Sequence, residues 1–566
     1  MYSNKENINI LTALLIDYGV CDVVVCPGSR NAPIVHNLSQ CGVMRCYPVT
    51  DERSAGFYAL GLALATRRPT AVCVTSGTAL LNLAPAVAEA FYQHVPLVVV
   101  SADRPQQWIG QLDGQTLPQC GALGKFVRKS VQLPEPVDDE QRWLCRRLIC
   151  EALHASTYRQ PSPVHINVPI TEPLFTFDVE ALPQVERFRM IGMDTTMEPV
   201  GILDRLRGEE RPLVVVGQMA NGTVSADTMR ELTRHYVVFA EPLSNSSYAT
   251  QHFDEVVRMV ASSRQQADYT PSYIIYVGDT IVSKPARWWL RQSKAPSCLV
   301  TPDALDIHDP LMTLEDIVEV PLGDIDSLLL SFCSICRCSD GDAGIKADTA
   351  ESQRAYRARW QQLFDRCDER VENFLPTYSQ MATVKYFEEQ LADLDADISV
   401  HYANSSAIRL ACIYAQHYVW CNRGVNGIEG SLSTAAGFSL GKDGMTVCVI
   451  GDLSFFYDQN ALWNRNIDGR LRIILLNNHC GGIFKQLPGL DRSPVANSLV
   501  GAEHDTTAQG ICTQNDIGYL SAKSMDEMQI GIVTLLTREA DRPMLLEVFT
   551  DSVDDMKALN DYFSLV

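Results

Sequence analysis

At 566 residues the chain exceeds what one hydrophobic core usually supports, and at roughly 150 residues per domain it suggests three or four domains, with three the working number. A composition of 46% hydrophobic and 20% charged residues is that of an ordinary globular protein and excludes wholesale disorder or a fibrous class. The formal net charge of −21 argues against nucleic acid or an anionic membrane as partner, so an anionic substrate must meet local arginines.

In chain order, Met1–Ile10 is polar and lacks the basic, apolar, small-residue order of a secretion signal. No later apolar run is long enough to span a bilayer. The 18 cysteines lack framework spacing and read as reduced, mostly buried thiols of a cytoplasmic protein. The first block alternates strand and helix: apolar runs Val23–Cys26, Ala71–Thr75, Leu97–Ser101 and Val164–Val168 are expected as strands of a parallel sheet covered on both faces. Ligands of such sheets sit where strand ends turn into helices. Pro27-Gly28-Ser29-Arg30 ends the first strand, and Ser101-Ala102-Asp103-Arg104-Pro105 ends a later one, shortly before Gly110-Gln111-Leu112-Asp113-Gly114-Gln115. Arg30 and Arg104, read as lying on neighbouring strand ends, would make a bidentate carboxylate site. Val49-Thr50-Asp51-Glu52 leads into a helix over Ala55–Ala65; alone, Glu52 is a carboxylate stabilised by the helix dipole. Thr75-Ser76-Gly77-Thr78-Ala79 likewise leaves a strand and opens a helix.

A middle series, Leu213–Val216, Val237–Phe239, Tyr273–Val277 and Cys298–Val300, follows the charged turn Gly208–Arg211 and predicts a smaller α/β domain. It contains Ser283-Lys284-Pro285 but no G-x-G-x-x-G after a strand, which counts against a nicotinamide or flavin oxidoreductase. Cys333, Cys336 and Cys338 offer one C-x2-C without a second pair and read as ordinary thiols, since structural zinc needs four ligands. The polar, acidic stretch Cys338–Arg354 is expected as an exposed linker.

The third series runs Ile398–Tyr402, Tyr418–Cys421, Val447–Ile450, Ile473–Leu476 and Met544–Phe549. Arg409 falls in the helix after Asn404-Ser405, and Arg423 lies in Asn422-Arg423-Gly424, just before Gly427-Ile428-Glu429-Gly430. Gly451-Asp452-Leu453-Ser454 directly follows one strand, and Asn477-Asn478 ends the next. Taken singly these are turn residues. Together, an Asp carboxylate, an Asn carbonyl and a nearby main-chain carbonyl suit a hard dication that keeps phosphate oxygens among its ligands, and Ser454 opens a helix whose free amides favour phosphate.

That pairing resembles the metal and diphosphate motif of thiamine-diphosphate enzymes, which usually reads Gly-Asp-Gly and then Asn-Asn; here Leu453 replaces the second glycine. The resemblance implies three doubly wound α/β domains with mostly parallel sheets: a pyrimidine-binding domain over 1–180, a central domain over 190–340, a linker and helix over 341–380, and a diphosphate-binding domain over 381–566. It further implies thiamine diphosphate with Mg²⁺ or Mn²⁺. Glu52 would bind the aminopyrimidine ring, so that its exocyclic nitrogen, as an imine, removes the thiazolium proton. Thr78, Asn404, Ser405, Gly451, Asp452, Leu453, Ser454 and Asn478 would hold the cofactor, Ile428 would prop it in its bent shape, and Asp452, Asn478 and the Cys480 main-chain carbonyl would hold the metal. Because Glu52 and Asp452 come from different domains, which usually meet between subunits in this family, a homodimer or a dimer of dimers is implied.

From about residue 20 to the carboxyl terminus the chain is similar to one branch of the family. That branch decarboxylates 2-oxoglutarate and adds the resulting succinyl carbanion to isochorismate in menaquinone biosynthesis. The likeness gives Ser29, Arg30, Arg104 and Gln115 to isochorismate, Arg409 and Arg423 to the succinyl carboxylate, and Lys284 to the site from the central domain. Departures from the pattern are Asn31-Ala32 after Arg30, Pro285 where arginine is common (with Arg287 two residues on), and His479-Cys480 in place of Asn-Gly. An acetolactate-synthase-like carboligase or another 2-oxoacid decarboxylase is the alternative; the arginine set disfavours it, because small neutral acceptors need fewer cationic anchors. A binding protein that lost catalysis is disfavoured by the presence together of Glu52, Asp452 and Asn478.

Overall fold

The computed structural model describes residues 1–188, 200–244, 252–336, 346–394, 396–487 and 489–564. Short apolar runs bounded by turns form three parallel sheets. The first holds β1 (Asp22–Val25), β2 (Arg45–Pro48), β3 (Thr70–Val74), β4 (Leu97–Asp103), β5 (Lys129–Gln132) and β6 (Val164–Pro169) in the order β2-β1-β3-β4-β6-β5. The second holds β7 (Pro212–Val216), β8 (Val237–Ala240), β9 (Tyr273–Val277), β10 (Ser297–Thr301) and β11 (Leu314–Glu319) in the order β11-β10-β9-β7-β8. The third holds β12 (Ile398–Tyr402), β13 (Val419–Trp420), β14 (Met445–Gly451), β15 (Leu471–Asn477), β16 (Gly518–Ala522) and β17 (Met544–Phe549) in the order β13-β12-β14-β15-β17-β16. The first and third sheets thus share one strand order. Each reverses direction of growth beside its first strand, between β1 and β3 and between β12 and β14, where a crevice opens at the carboxyl ends.

Every residue of β1, β3, β4, β6, β7, β9, β10 and β15 is buried, as expected of strands covered on both faces. Two expectations are corrected. Arg30 and Arg104 do not lie on neighbouring strand ends, because β3 pairs with both β1 and β4 and separates them. The linker expected over Cys338–Arg354 is helical from Ala347, the first residue of the helix Ala347–Asn373; its buried face, with Gln353, Tyr356, Trp360, Phe364 and Cys367, lies mostly beyond the polar stretch. Cys338 lies outside the described residues, while Cys333 and Cys336 belong to the end of the helix Ile325–Ile335.

The outer two sheets share a core. The helix Glu52–Thr66 lies against the helix Ser431–Gly441, and Phe57, Tyr58 and Leu62 pack into one cluster with Leu432, Ala435 and Ile450. Glycines make the crossing: a Cβ on Gly61 would strike the Thr434 carbonyl, and one on Gly437 the Tyr58 carbonyl. Polar bonds between the two units flank the crossing, with Tyr58 Oη donating to the Ala461 carbonyl at 2.6 Å and Arg53 Nη2 to the Tyr457 carbonyl at 2.7 Å. No helix among the described residues is long and apolar enough to cross a membrane.

Candidate active site

At the β12/β14 crevice, Asp452 is the first residue of the helix Asp452–Tyr457. Its Oδ1 accepts from the Leu453 N–H at 2.7 Å, and Oδ2 accepts from the N–H groups of Asn478 (3.1 Å) and Cys480 (3.2 Å). β14 and β15 pair directly, with Gly451 opposite Leu476, which is why the two motifs meet. Burial pushes the Asp452 carboxyl up to about 6, against the pull of these N–H donors. The Asn478 amide is oriented by a residue that sequence reading passed over: its Nδ2 donates to Asp555 Oδ2 at 2.9 Å, and Asp555 also accepts from Thr550 Oγ1 (2.9 Å) and the Gln380 N–H (2.8 Å). With the nitrogen engaged, Asn478 presents its carbonyl oxygen, whose one partner among the described residues is the weak donor Cys480 Sγ at 3.9 Å.

The Cys480 carbonyl accepts from the Gly482 N–H at 2.8 Å and keeps a second lone pair. His504 Nε2 lies 3.5 Å from Asp452 Oδ2, buried and without a hydrogen-bond partner. Asp452, Asn478 and the Cys480 carbonyl are hard oxygen donors of the kind Mg²⁺ prefers, and an orphaned buried imidazole nitrogen beside them suits an incoming phosphate. The residues present therefore fit a metal-bound diphosphate.

The surrounding turns are tied to this centre. Asn404 Nδ2 donates to the carbonyls of Asn422 (2.7 Å) and Gly427 (2.8 Å), and its Oδ1 accepts from Arg423 Nη1 (3.1 Å). Ser454 Oγ donates to the Ile428 carbonyl, leaving the Ile428 side chain exposed. Ser405 sits at φ 72° and ψ −124°, a conformation costly for a residue with a Cβ and typical of built sites. The buried Glu89, from the first unit, fixes the same turn by accepting the N–H groups of Gly424 and Val425, each at 2.7 Å.

A cavity of about 540 Å³ opens here and is lined by Lys284, Ser405, Arg409 and Asn478, with Glu241 and Phe484 among the other walls. The side chains of Lys284 and Arg409 form no direct hydrogen bond or ion pair with any described residue, although Glu241, Asp254, Glu255 and Asp555 line the same space. Burial first and the Arg423 charge second lower the Arg409 pKa. Arg423 Nε is buried without a partner.

The remaining candidates gather on the first sheet. A Cβ on Gly28 would strike Thr75, so the β1 and β3 turns touch; Gly77, at φ +85°, lies under the backbone of Gln115. Gln119, also missed from sequence, laces these ends together, accepting from the Gly77 N–H (2.7 Å) and donating to the Ala102 carbonyl (3.0 Å). Arg104 Nε donates to the Gly114 carbonyl at 3.2 Å. Arg30 is buried, with Nη1 on the Ile170 carbonyl (3.0 Å) and Nη2 on Glu172 (3.1 Å). Glu52 heads the helix Glu52–Thr66, and Ser29, Thr78 and Gln115 are exposed. No hydrogen bond or ion pair among the described residues joins Glu52, Ser29, Arg104 or Gln115 to Asp452, Asn478, Lys284 or Arg409. The candidates thus fall into two groups, a first-sheet half and a third-sheet half.

Residues 8–122 match the family model described as "Thiamine pyrophosphate enzyme, N-terminal TPP binding domain". The whole chain is similar to proteins named 2-succinyl-5-enolpyruvyl-6-hydroxy-3-cyclohexene-1-carboxylate synthase: 40% identical to that of Bacteroides thetaiotaomicron, over 100% of this chain and 99% of the relative. It is 41% identical to that of Bacteroides fragilis strain YCH46, with coverage of 100% and 99%. For Porphyromonas gingivalis the identity is 32%, over 100% of the chain and 98% of the relative.

Proposed function

Since this chain belongs to the thiamine-diphosphate-dependent 2-succinyl-5-enolpyruvyl-6-hydroxy-3-cyclohexene-1-carboxylate synthase family, we propose that it decarboxylates 2-oxoglutarate and joins the remaining four-carbon unit to isochorismate, a carbon–carbon bond-forming step of menaquinone biosynthesis. The observation that carries this reading is the cavity in which the unpaired cations Lys284 and Arg409 stand beside Asn478, itself bonded to Asp452. Both substrates are dicarboxylates, and fixed cations in an otherwise acidic protein can bind and orient them.

Bound thiamine diphosphate supplies the electron sink that allows a 2-oxoacid to lose carbon dioxide. Asp452, Asn478 and the Cys480 carbonyl would hold Mg²⁺, or Mn²⁺ in its place, against the diphosphate, with Gly451, Leu453, Ser454, Asn404 and Ser405 forming the cradle and Ile428 supporting the bend. Glu52 would hydrogen-bond the aminopyrimidine ring, and Thr78, first residue of the helix after β3, would help hold the cofactor. Arg409, Arg423 and Lys284 would take the 2-oxoglutarate carboxylates. Ser29, Arg104 and Gln115 would receive isochorismate; Arg30, anchored on Ile170 and Glu172, would act chiefly by shaping that turn and lending charge. The two half-sites favour a homodimer, or a dimer of dimers, in which the first sheet of one protomer covers the third sheet of its partner. The domain limits 1–180, 190–340 and 381–566 accompany this reading, as does a cytoplasmic location.

Incubation with 2-oxoglutarate, isochorismate, thiamine diphosphate and Mg²⁺ is expected to give the coupled product, detected by mass spectrometry. Intact cofactor binding without that product, together with turnover of pyruvate, would turn the assignment toward an acetolactate-synthase-like carboligase.

A further inference from the structure

Lys284 occupies the first position of the helix Lys284–Ser293, the end at which aligned peptide dipoles disfavour a cation. Its placement therefore needs a local cause. Ser283 Oγ caps the helix by accepting from the Ala286 N–H at 3.1 Å, and it donates to Asp254. Pro285 fills the next position with φ already fixed. From beneath, Glu241 closes the turn. This carboxylate follows β8, is 2% exposed, and accepts the N–H groups of Val282 at 2.6 Å and Ser283 at 2.8 Å on its two oxygens.

Nothing in the surface chemistry of the central domain requires a carboxylate there. Desolvating one is costly unless every lone pair is used and a counter-charge is near. Here the counter-charge belongs to the site: burial raises the Glu241 carboxyl to about 7, while the Val282 and Ser283 N–H groups and then Arg423 pull it down. Glu241 lines the same cavity as Lys284 and Arg409. It thus grips the lysine-bearing turn through two main-chain N–H groups and lies in the field of the cations across the space, with Asp254 holding the same turn through Ser283.

Building on the 2-oxoglutarate reading of this cavity, we propose that Glu241 is a positioning residue: by clamping the Val282–Lys284 turn it holds Lys284 toward the bound 2-oxoacid, so that a central-domain cation serves the third-sheet half-site. Isochorismate, assigned to the first sheet, lies outside its influence.

The test compares the holoenzyme with Glu241→Gln, whose amide nitrogen must confront one of the two N–H donors and so frees one anchor of the turn. The KM for 2-oxoglutarate is expected to rise about tenfold, the cost of losing one such hydrogen bond, with the KM for isochorismate unchanged. Asp254→Ala, which removes the acceptor of the Ser283 hydroxyl and so loosens the turn from the other side, is expected to give the same selective rise and decides the matter if Glu241→Gln does not fold. An unchanged KM for 2-oxoglutarate, or equal rises for both substrates, overturns the proposal. Failure of the unaltered enzyme to consume 2-oxoglutarate would instead sink the function. The clamp would then be decided by the NMR signal of ¹³C-methylated Lys284, expected to shift or broaden in Glu241→Gln; superimposable signals would overturn it.

Discussion

Asp452 and Asn478 were legible in the sequence because each sits at the end of a strong apolar strand, and parallel sheets bring such ends together. The acids that hold the site in shape were not. Asp555, Glu89 and Glu241 lie in unremarkable local sequence and gain meaning only through contacts with Asn478, Gly424 and Val282, far away in the chain. Nothing in residue spacing encodes such contacts. Replacing Asp555 tests how far this outer layer governs the metal. Asp555→Ala frees the Asn478 amide to rotate, and its affinity for Mg²⁺, titrated in the presence of thiamine diphosphate, is expected to fall by roughly ten- to a hundredfold, as when the outer partner of a metal ligand is removed. Unchanged affinity with a well-folded protein would mean that Asn478 needs no such support.

At the scale of elements, the continuous apolar runs named every interior strand and the edge strands β8 and β13, but left out the more exposed edges. β5, β11 and β16 are partly exposed along most of their length, so their sequences lack the uninterrupted hydrophobic signal of a doubly covered strand. Strand order was equally hidden. Arg30 and Arg104 were read as lying on neighbouring strand ends, yet β3 runs between their strands. The helix crossing was also illegible, since helix propensity alone gives Gly61 and Gly437 only a small cost and no role. They are instead the condition for contact. Gly61→Ala improves intrinsic helix propensity, yet it is expected to destabilise the protein by about 1–3 kcal/mol through overpacking against Thr434, lowering the thermal unfolding midpoint. A raised midpoint would show that the helices can separate at no cost.

For the molecule as a whole, the sequence conveyed three α/β units and the chemistry. The distribution of the candidate residues over two half-sites leads to a complementation experiment. Glu52→Gln damages only the first-sheet half and Asp452→Ala only the third-sheet half, so each pure variant is expected to be nearly inactive. In a mixed dimer one of the two composite sites would be intact. Mixing the two variants under conditions that allow subunit exchange should therefore recover about a quarter of normal activity, from random pairing with one intact site in each mixed pair. No recovery, despite mass-spectrometric proof of mixed pairs, would mean that each site is built within one chain.

The glycine crossing also constrains motion. Where a carbonyl rests in the hollow left by a missing methyl, close packing opposes sliding or pivoting, so the outer lobes are expected to move as one. Whatever opens to let a reactant in must be sought elsewhere: in the middle lobe, which carries Lys284 on its turn, or in the segment around Phe484 that walls the cavity. The frame is fixed, and the doors hang from it.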